Sequence, residues 1–184
     1  MGGVRWALDL GHQDYNSLES AGLHIWNYRQ DSERWSVFRL GPRSHNIPLF
    51  GDAKPSSSGY APLTTMESSD HIGAVEIPLT EIYPNHVDEM VRKASLSSSG
   101  IIEITDTWTP ISGESTPYIW QMITGAEVTP TQSGFRLTQD GKVLQVTVNT
   151  STGEYELITE KADDLIQSFD VSNPGVTRIQ LKLP

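Results

Sequence analysis

Apolar and polar residues alternate with a period of two along most of this chain, in short runs broken by Gly, Pro, Ser and Asp, which is the pattern of half-buried strands. Residues 4–10 (VRWALDL) alternate imperfectly between Gly3 and Gly11 and predict a strand buried on at least one face. A polar connection over 16–22 leads to a short strand at 23–28. The polar Gln30, Asp31, Ser32 and Glu33 then turn the chain into a strand at 34–40, with Trp35, Val37 and Arg39 on one side and Arg34, Ser36 and Phe38 on the other. Gly41-Pro42 stops it. Residues 54–60 (KPSSSGY) read as a weakly ordered loop.

Residues 73–79 predict a strand ended by Pro78, and Tyr83-Pro84-Asn85 a turn. The stretch 87–96 fits helical and strand spacing alike; the following Ser97-Ser98-Ser99-Gly100 and the β-branched run at 101–107 favour a strand that completes a hairpin. Strands follow at 118–128 and 134–137, and Asp140-Gly141 is the dipeptide of a type I′ hairpin turn. Beyond it, 142–149 sets Val143, Gln145 and Thr147 against Leu144, Val146 and Val148. Thr152-Gly153 turns into 154–158, and 176–183 places Ile179, Leu181 and Leu183 on one face. With no internal repeat and no long amphipathic helix, the pattern predicts an all-β fold, a large antiparallel β-sandwich.

A length of 184 residues suits one domain with a real core, so residues 1–184 are read as a single sandwich domain. No apolar run approaches the ~20 residues of a membrane helix, and the first residues lack the features of a secretory signal. Without cysteine there are no disulfides and no thiolate metal ligands. The formal charge of -10 disfavours nucleic acid and anionic membranes as partners. That charge is uneven: five basic and six acidic residues reach to Asp52, against eight and seventeen beyond it. A polyanionic ligand is therefore best tolerated by the opening third.

The opening third also concentrates the chemistry, holding Trp6, Trp26, Trp35 and three of the five His. Asp9 and His45 pair a carboxylate oxygen with an imidazole nitrogen, donors suited to zinc, and a third ligand would come from His12, His24, His71, His86 or another segment. The plainer alternative makes Asp9 the cap of a turn through Gly11 and His45 a hydrogen-bonded loop residue. Trp6, Trp26 and Trp35 can stack on sugar rings but, at alternating strand positions, are expected in the core. Arg29, Arg34, Arg39 and Arg43 either meet carboxylate or sulfate groups or pair with Asp14, Glu19, Asp31 and Glu33. No glycine-rich phosphate loop, nucleophile elbow or HExxH is present.

Residues 3–11 (GVRWALDLG), Tyr15, residues 33–39 (ERWSVFR) and Ser44-His45-Asn46 together resemble the opening of the C-terminal region of heparinase II/III-like polysaccharide lyases. The likeness continues more weakly through 73–75, 79–83, Ile104-Thr105-Asp106 and Asp140-Gly141. It implies an N-terminal α/α-toroid followed by a β-sandwich, and cleavage of uronic-acid polysaccharides of the heparin or heparan sulfate kind by β-elimination. That reaction needs the uronate carboxylate neutralised, a base for the C5 proton and an acid for the leaving oxygen. The resemblance places the catalytic tyrosine and a cleft histidine in segments outside this sequence, so no catalytic residue is expected here and the chain alone is expected to be inactive. It also implies a structural zinc, held by Asp9, His45 and a histidine outside the chain.

On this reading the chain is the sandwich part of a larger lyase, truncated at its N-terminal side. Tyr15, Asn46 and Arg43 contribute one wall of the cleft, towards an acidic polysaccharide. The parent is expected in the periplasm or secreted, and the open sheet edge left by a missing strand would allow a homodimer. Two other readings stand beside it. A non-catalytic carbohydrate-binding module predicts Trp108 and Trp120 exposed on one flat face. A purely structural sandwich predicts Asp9 and His45 pointing apart.

Overall fold

Strands carry the architecture, and all their ladders among the described residues run antiparallel. The computed structural model describes residues 3–69, 72–113, 116–167 and 175–184. The chain gathers into two compact units, Met1–Lys54 with Pro117–Pro184, and Pro55–Thr116. The strands are β1 (Leu49–Phe50), β2 (Thr64–Ser69), β3 (Ile72–Pro78), β4 (Val87–Leu96), β5 (Ile102–Pro110), β6 (Tyr118–Thr124), β7 (Glu127–Thr131), β8 (Gly134–Gln139), β9 (Lys142–Thr147), β10 (Glu156–Lys161) and β11 (Thr177–Lys182).

In the first unit a four-stranded sheet, ordered β1-β6-β11-β10, packs against a three-stranded sheet, β7-β8-β9. Met122, Ile179 and Leu181 of the larger sheet meet Phe135 and Leu137 of the smaller one, with Val4 and Trp6 closing the same core. This is the sandwich-like arrangement that the alternating pattern predicts. The turn from β8 to β9 has Asp140 at φ 51° and Gly141 at φ 69°, the paired positive values of a type I′ hairpin.

The second face of the larger sheet is also covered. Ile123, Ala162 and Val176 pack there with Phe38 and the half-buried Leu8 and Leu10 of the opening segment. Strand β11 is therefore buried on both sides, Arg178 and Gln180 included. Arg178 meets Glu160 in an ion pair, and Gln180 donates to the Gln121 side chain at 3.0 Å. A buried polar group that keeps its partners costs little.

The second unit is a meander, β2-β3-β4-β5, in which Tyr83, Val87 and Met90 are buried. Arg92 and Asp106 stand directly opposite each other in the β4–β5 ladder. They form a two-pronged ion pair, with Nε to Oδ1 and Nη2 to Oδ2 both at 2.7 Å. Lys93 and Glu76 pair at 2.9 Å from the next register position, which turns to the opposite face.

Five sequence expectations need correction. Residues 4–10 alternate inward and outward as predicted, Val4 and Trp6 buried and Arg5 and Ala7 exposed, but form no ladder. Residues 23–28 are turns. At 34–40 a 3-10 turn, Glu33–Ser36, replaces the strand, because the Ser32 hydroxyl caps it by accepting from the Arg34 N–H. The polar connection at 16–22 contains a short helix, α1 (Tyr15–Ser20), started by the Asp14 carboxylate accepting from Asn16 and Ser17 N–H. The predicted strand 118–128 is broken at Gly125-Ala126 into β6 and β7, which belong to different sheets.

Candidate functional site

The extended opening segment is held to the larger sheet by few but specific bonds. Leu8 N–H donates to the Ile123 carbonyl of β6 at 2.8 Å. The Asn46 side chain completes a clamp: its Nδ2 donates to Leu8 O at 2.7 Å, and its Oδ1 accepts from Ile123 N–H at 2.7 Å. One amide thereby ties the opening segment, the 42–46 turn and β6 together. Gln121 adds a second anchor, donating to the carbonyls of Pro42 at 3.1 Å and His45 at 2.6 Å.

Asp9 follows Leu8 and His45 precedes Asn46, so the clamp that joins Leu8 to Asn46 sets the two side chains beside each other. His45 Nδ1 and Asp9 Oδ2 are 2.6 Å apart, and both side chains remain partly open to solvent. The other carboxylate oxygen of Asp9 accepts from Gly11 N–H at 3.0 Å. That bond closes a tight turn in which Gly11 takes φ +69°, a value glycine reaches without strain. The turn-capping role and the contact with His45 are thus both present, one on each oxygen of Asp9.

Burial alone would raise the Asp9 pKa. The Gly11 N–H, the His45 hydrogen bond and the attraction of His45 and Arg5 outweigh it and hold the carboxyl below its ordinary 3.8. Asp9 is therefore an anion at neutral pH. An anionic carboxylate beside an imidazole is a fitting half of a zinc shell, and the Gly11 bond orients it as outer bonds orient metal ligands. Ligand atoms around tetrahedral zinc stand roughly 3.3 Å apart, so a small outward movement of either side chain would admit the ion. The pair supplies two of the usual four ligands. Among the described residues no group of three or more His, Cys, Asp or Glu gathers.

The remaining candidates lie elsewhere or serve the backbone. His12 meets the Tyr15 ring at a tilt, 5.9 Å between centroids, and the His24 backbone N–H is taken by the Glu33 carboxylate. His86 belongs to the other unit, and His71 lies outside the described residues. Tyr15, half-buried on α1, meets Trp26 edge-on at 5.0 Å. The exposed Arg43 borders a shallow recess with Trp35, Phe38 and Gln167. Among the described residues, neither Tyr15 nor Arg43 bonds to Asp9 or His45. Asn46 acts through the clamp rather than by presenting its amide outward.

Trp6 is in the core, as expected, but Trp26 is 57% exposed and Tyr28 55%. Trp108 and Trp120 are half-buried and belong to different units, and Trp120 packs against the sandwich core. Neither is exposed in the way the carbohydrate-binding reading predicts. Asp14, Glu19 and Glu33 serve a helix cap, the Trp26 indole and a backbone N–H in place of the arginines. Sequence reasoning did not find Gln121, which lies 76 positions from the His45 carbonyl it holds; a single Gln in a buried strand gives no local signal. No family model and no curated protein matches this chain.

Proposed function

We propose that this chain is the β-sandwich part of a polysaccharide lyase acting on uronic-acid glycans of the heparin or heparan sulfate kind. In this reading it lends one wall to a cleft whose proton-transfer groups belong to an α/α-toroidal domain outside these residues. The observation that carries the reading is the contact between Asp9 and His45. The resemblance to heparinase II/III-like lyases singles out these two residues as zinc ligands, and their contact across 36 positions supports that pairing.

Zinc, when bound, serves as a cross-link between loops. The chain's own residues do the rest of the positioning. Asp9, anchored by Gly11, offers one oxygen; His45, anchored through its carbonyl by Gln121, offers a ring nitrogen; Asn46 keeps both backbones in register. Tyr15 and Arg43 supply a phenol and a guanidinium to the surface of the same unit, groups that hydrogen-bond sugar hydroxyls and pair with uronate or sulfate.

Calorimetric titration of zinc, and separately of a heparin-derived hexasaccharide, into the metal-free chain tests the reading. Weak zinc binding, limited by the two ligands the chain supplies, that disappears in Asp9→Ala and in His45→Ala, together with hexasaccharide binding, is the expected result. A chain that takes up no hexasaccharide is not the wall of a uronan lyase. Glycan binding without zinc would instead support a carbohydrate-binding module.

A further inference from the structure

Trp26 and Tyr28 carry large apolar rings into solvent, and both are held still. The Trp26 indole N–H donates to Glu19 Oε1 at 2.8 Å, and Tyr15 meets its ring edge-on at 5.0 Å. Tyr28 is braced from below by Arg34, whose guanidinium carbon lies 4.5 Å from the ring centroid, and edge-on by Trp35 at 6.4 Å. Trp35 is itself fixed, its indole N–H donating to Arg29 O at 2.8 Å.

The brace under Tyr28 is costly, which argues against an incidental surface ring. Arg34 is buried, only 8% exposed, and donates to Ile25 O at 2.7 Å. Among the described residues no carboxylate pairs with it. Burying a cation without a counter-ion is unfavourable, and the two aromatic faces beside Arg34 compensate only in part. What the arrangement secures is an immobile ring facing outward. Next to it Arg29 is exposed, and its guanidinium has no partner among the described residues.

From these contacts we infer that Trp26, Tyr28 and Arg29 form a sugar subsite that continues the surface begun by Tyr15. The inference rests on the uronan reading given above and adds residues which that reading does not assign. The aromatic faces stack on the C–H faces of pyranose rings, and Arg29 takes the carboxylate or sulfate of the adjoining unit. Because the rings are already locked, little side-chain entropy is lost when a sugar binds. Trp26 has its indole N–H satisfied internally, so it offers a ring face and no donor, as a stacking residue should.

Hexasaccharide titrations of Trp26→Ala, Tyr28→Ala and Arg29→Gln test the subsite. Each is expected to weaken binding of the heparin-derived hexasaccharide about fivefold or more, at ~1 kcal/mol per lost ring contact or charged hydrogen bond. Circular dichroism should stay near the parent's in all three, Tm should hold in Arg29→Gln and fall in Tyr28→Ala, which uncovers the buried Arg34, and Trp26→Phe should keep most of the affinity. If the unaltered chain binds no hexasaccharide, the uronan reading itself fails. If it binds and the three variants bind equally well, the subsite is wrong and the uronan reading survives.

Discussion

His45 Nδ1 lies 2.6 Å from Asp9 Oδ2, although 36 positions of sequence separate the two residues. Neither belongs to a strand or helix. Their meeting depends on side-chain to backbone bonds in place of a ladder, so the residues that make those bonds govern the site as directly as the pair itself.

Asn46 is the first of them. Asn46→Ala removes both arms of the clamp and leaves Leu8 O and Ile123 N–H without this partner in a half-buried setting. A loss of about 1–3 kcal/mol is expected for each unmet group, read as a lower Tm. Zinc affinity should fall with it, although no ligand is altered. Unchanged zinc binding in a folded Asn46→Ala chain would show that Asp9 and His45 find each other without the clamp.

Gly41 sits where the 33–41 turn doubles back on itself. A Cβ there would come 2.3 Å from Trp35 O, a backbone atom with nowhere to retreat. Gly41→Ala should therefore destabilise the first unit by about 1–3 kcal/mol through overpacking. The Ser44-His45-Asn46 segment just downstream should loosen with it, seen as faster amide exchange at His45 and Asn46. A melting curve superimposable on the parent's would refute this.

Tyr83 gives the second unit an alkaline limit. Its phenol is 2% exposed, and burial pushes its pKa well above the ordinary 10.0, with Asp106 adding to the rise and Arg92 opposing it. Because the folded value is raised, the stability that Tyr83 contributes is fully present below its unfolded pKa. It is lost as pH climbs beyond 10.0 towards the folded value. Tm measured from about pH 8 to pH 11 should fall less steeply in Tyr83→Phe than in the parent, whatever the offset between them. Parallel slopes would contradict the assignment.

The Arg92–Asp106 pair fixes the register of β4 on β5. Its side chains are only 13% and 5% exposed, so Asp106→Ala strands a buried guanidinium. The expected cost is about 3–5 kcal/mol, and replacing both residues with Leu should cost less than removing Asp106 alone. Amide exchange along β4 and β5 provides the readout. A single variant milder than the double would mean that the pair contributes no coupling.

Expressed alone, the chain should release no unsaturated uronate from heparan sulfate, followed by ultraviolet absorbance. Activity from these residues by themselves would overturn the division of labour proposed above.

The hairpin strands and their turns were legible in the sequence because each depends on neighbours a few positions away, whereas the pairing of β6 with β1 and β11 joins distant residues. Residues 87–96 were expected to be a strand and are β4, and the positive φ angles of Asp140 and Gly141 are what Asp-Gly implies. Residues 23–28 and 34–40 alternate just as persuasively, yet neither is a strand. Ser32 caps a turn, and the guanidiniums of Arg34 and Arg39 bond carbonyls of Ile25 and Leu10, a choice that period-two patterning cannot express.

By itself the sequence determined an all-β, antiparallel chain and nominated Asp9 and His45 by residue type and resemblance. Only the tertiary structure decided that the two side chains touch, that Asn46 and Gln121 hold them there, and that Trp26 and Tyr28 face solvent. The physical reason is range. Alternation and turn chemistry act over a few residues, whereas the clamp joins positions 38 and 77 residues apart, and no local preference encodes such a closure.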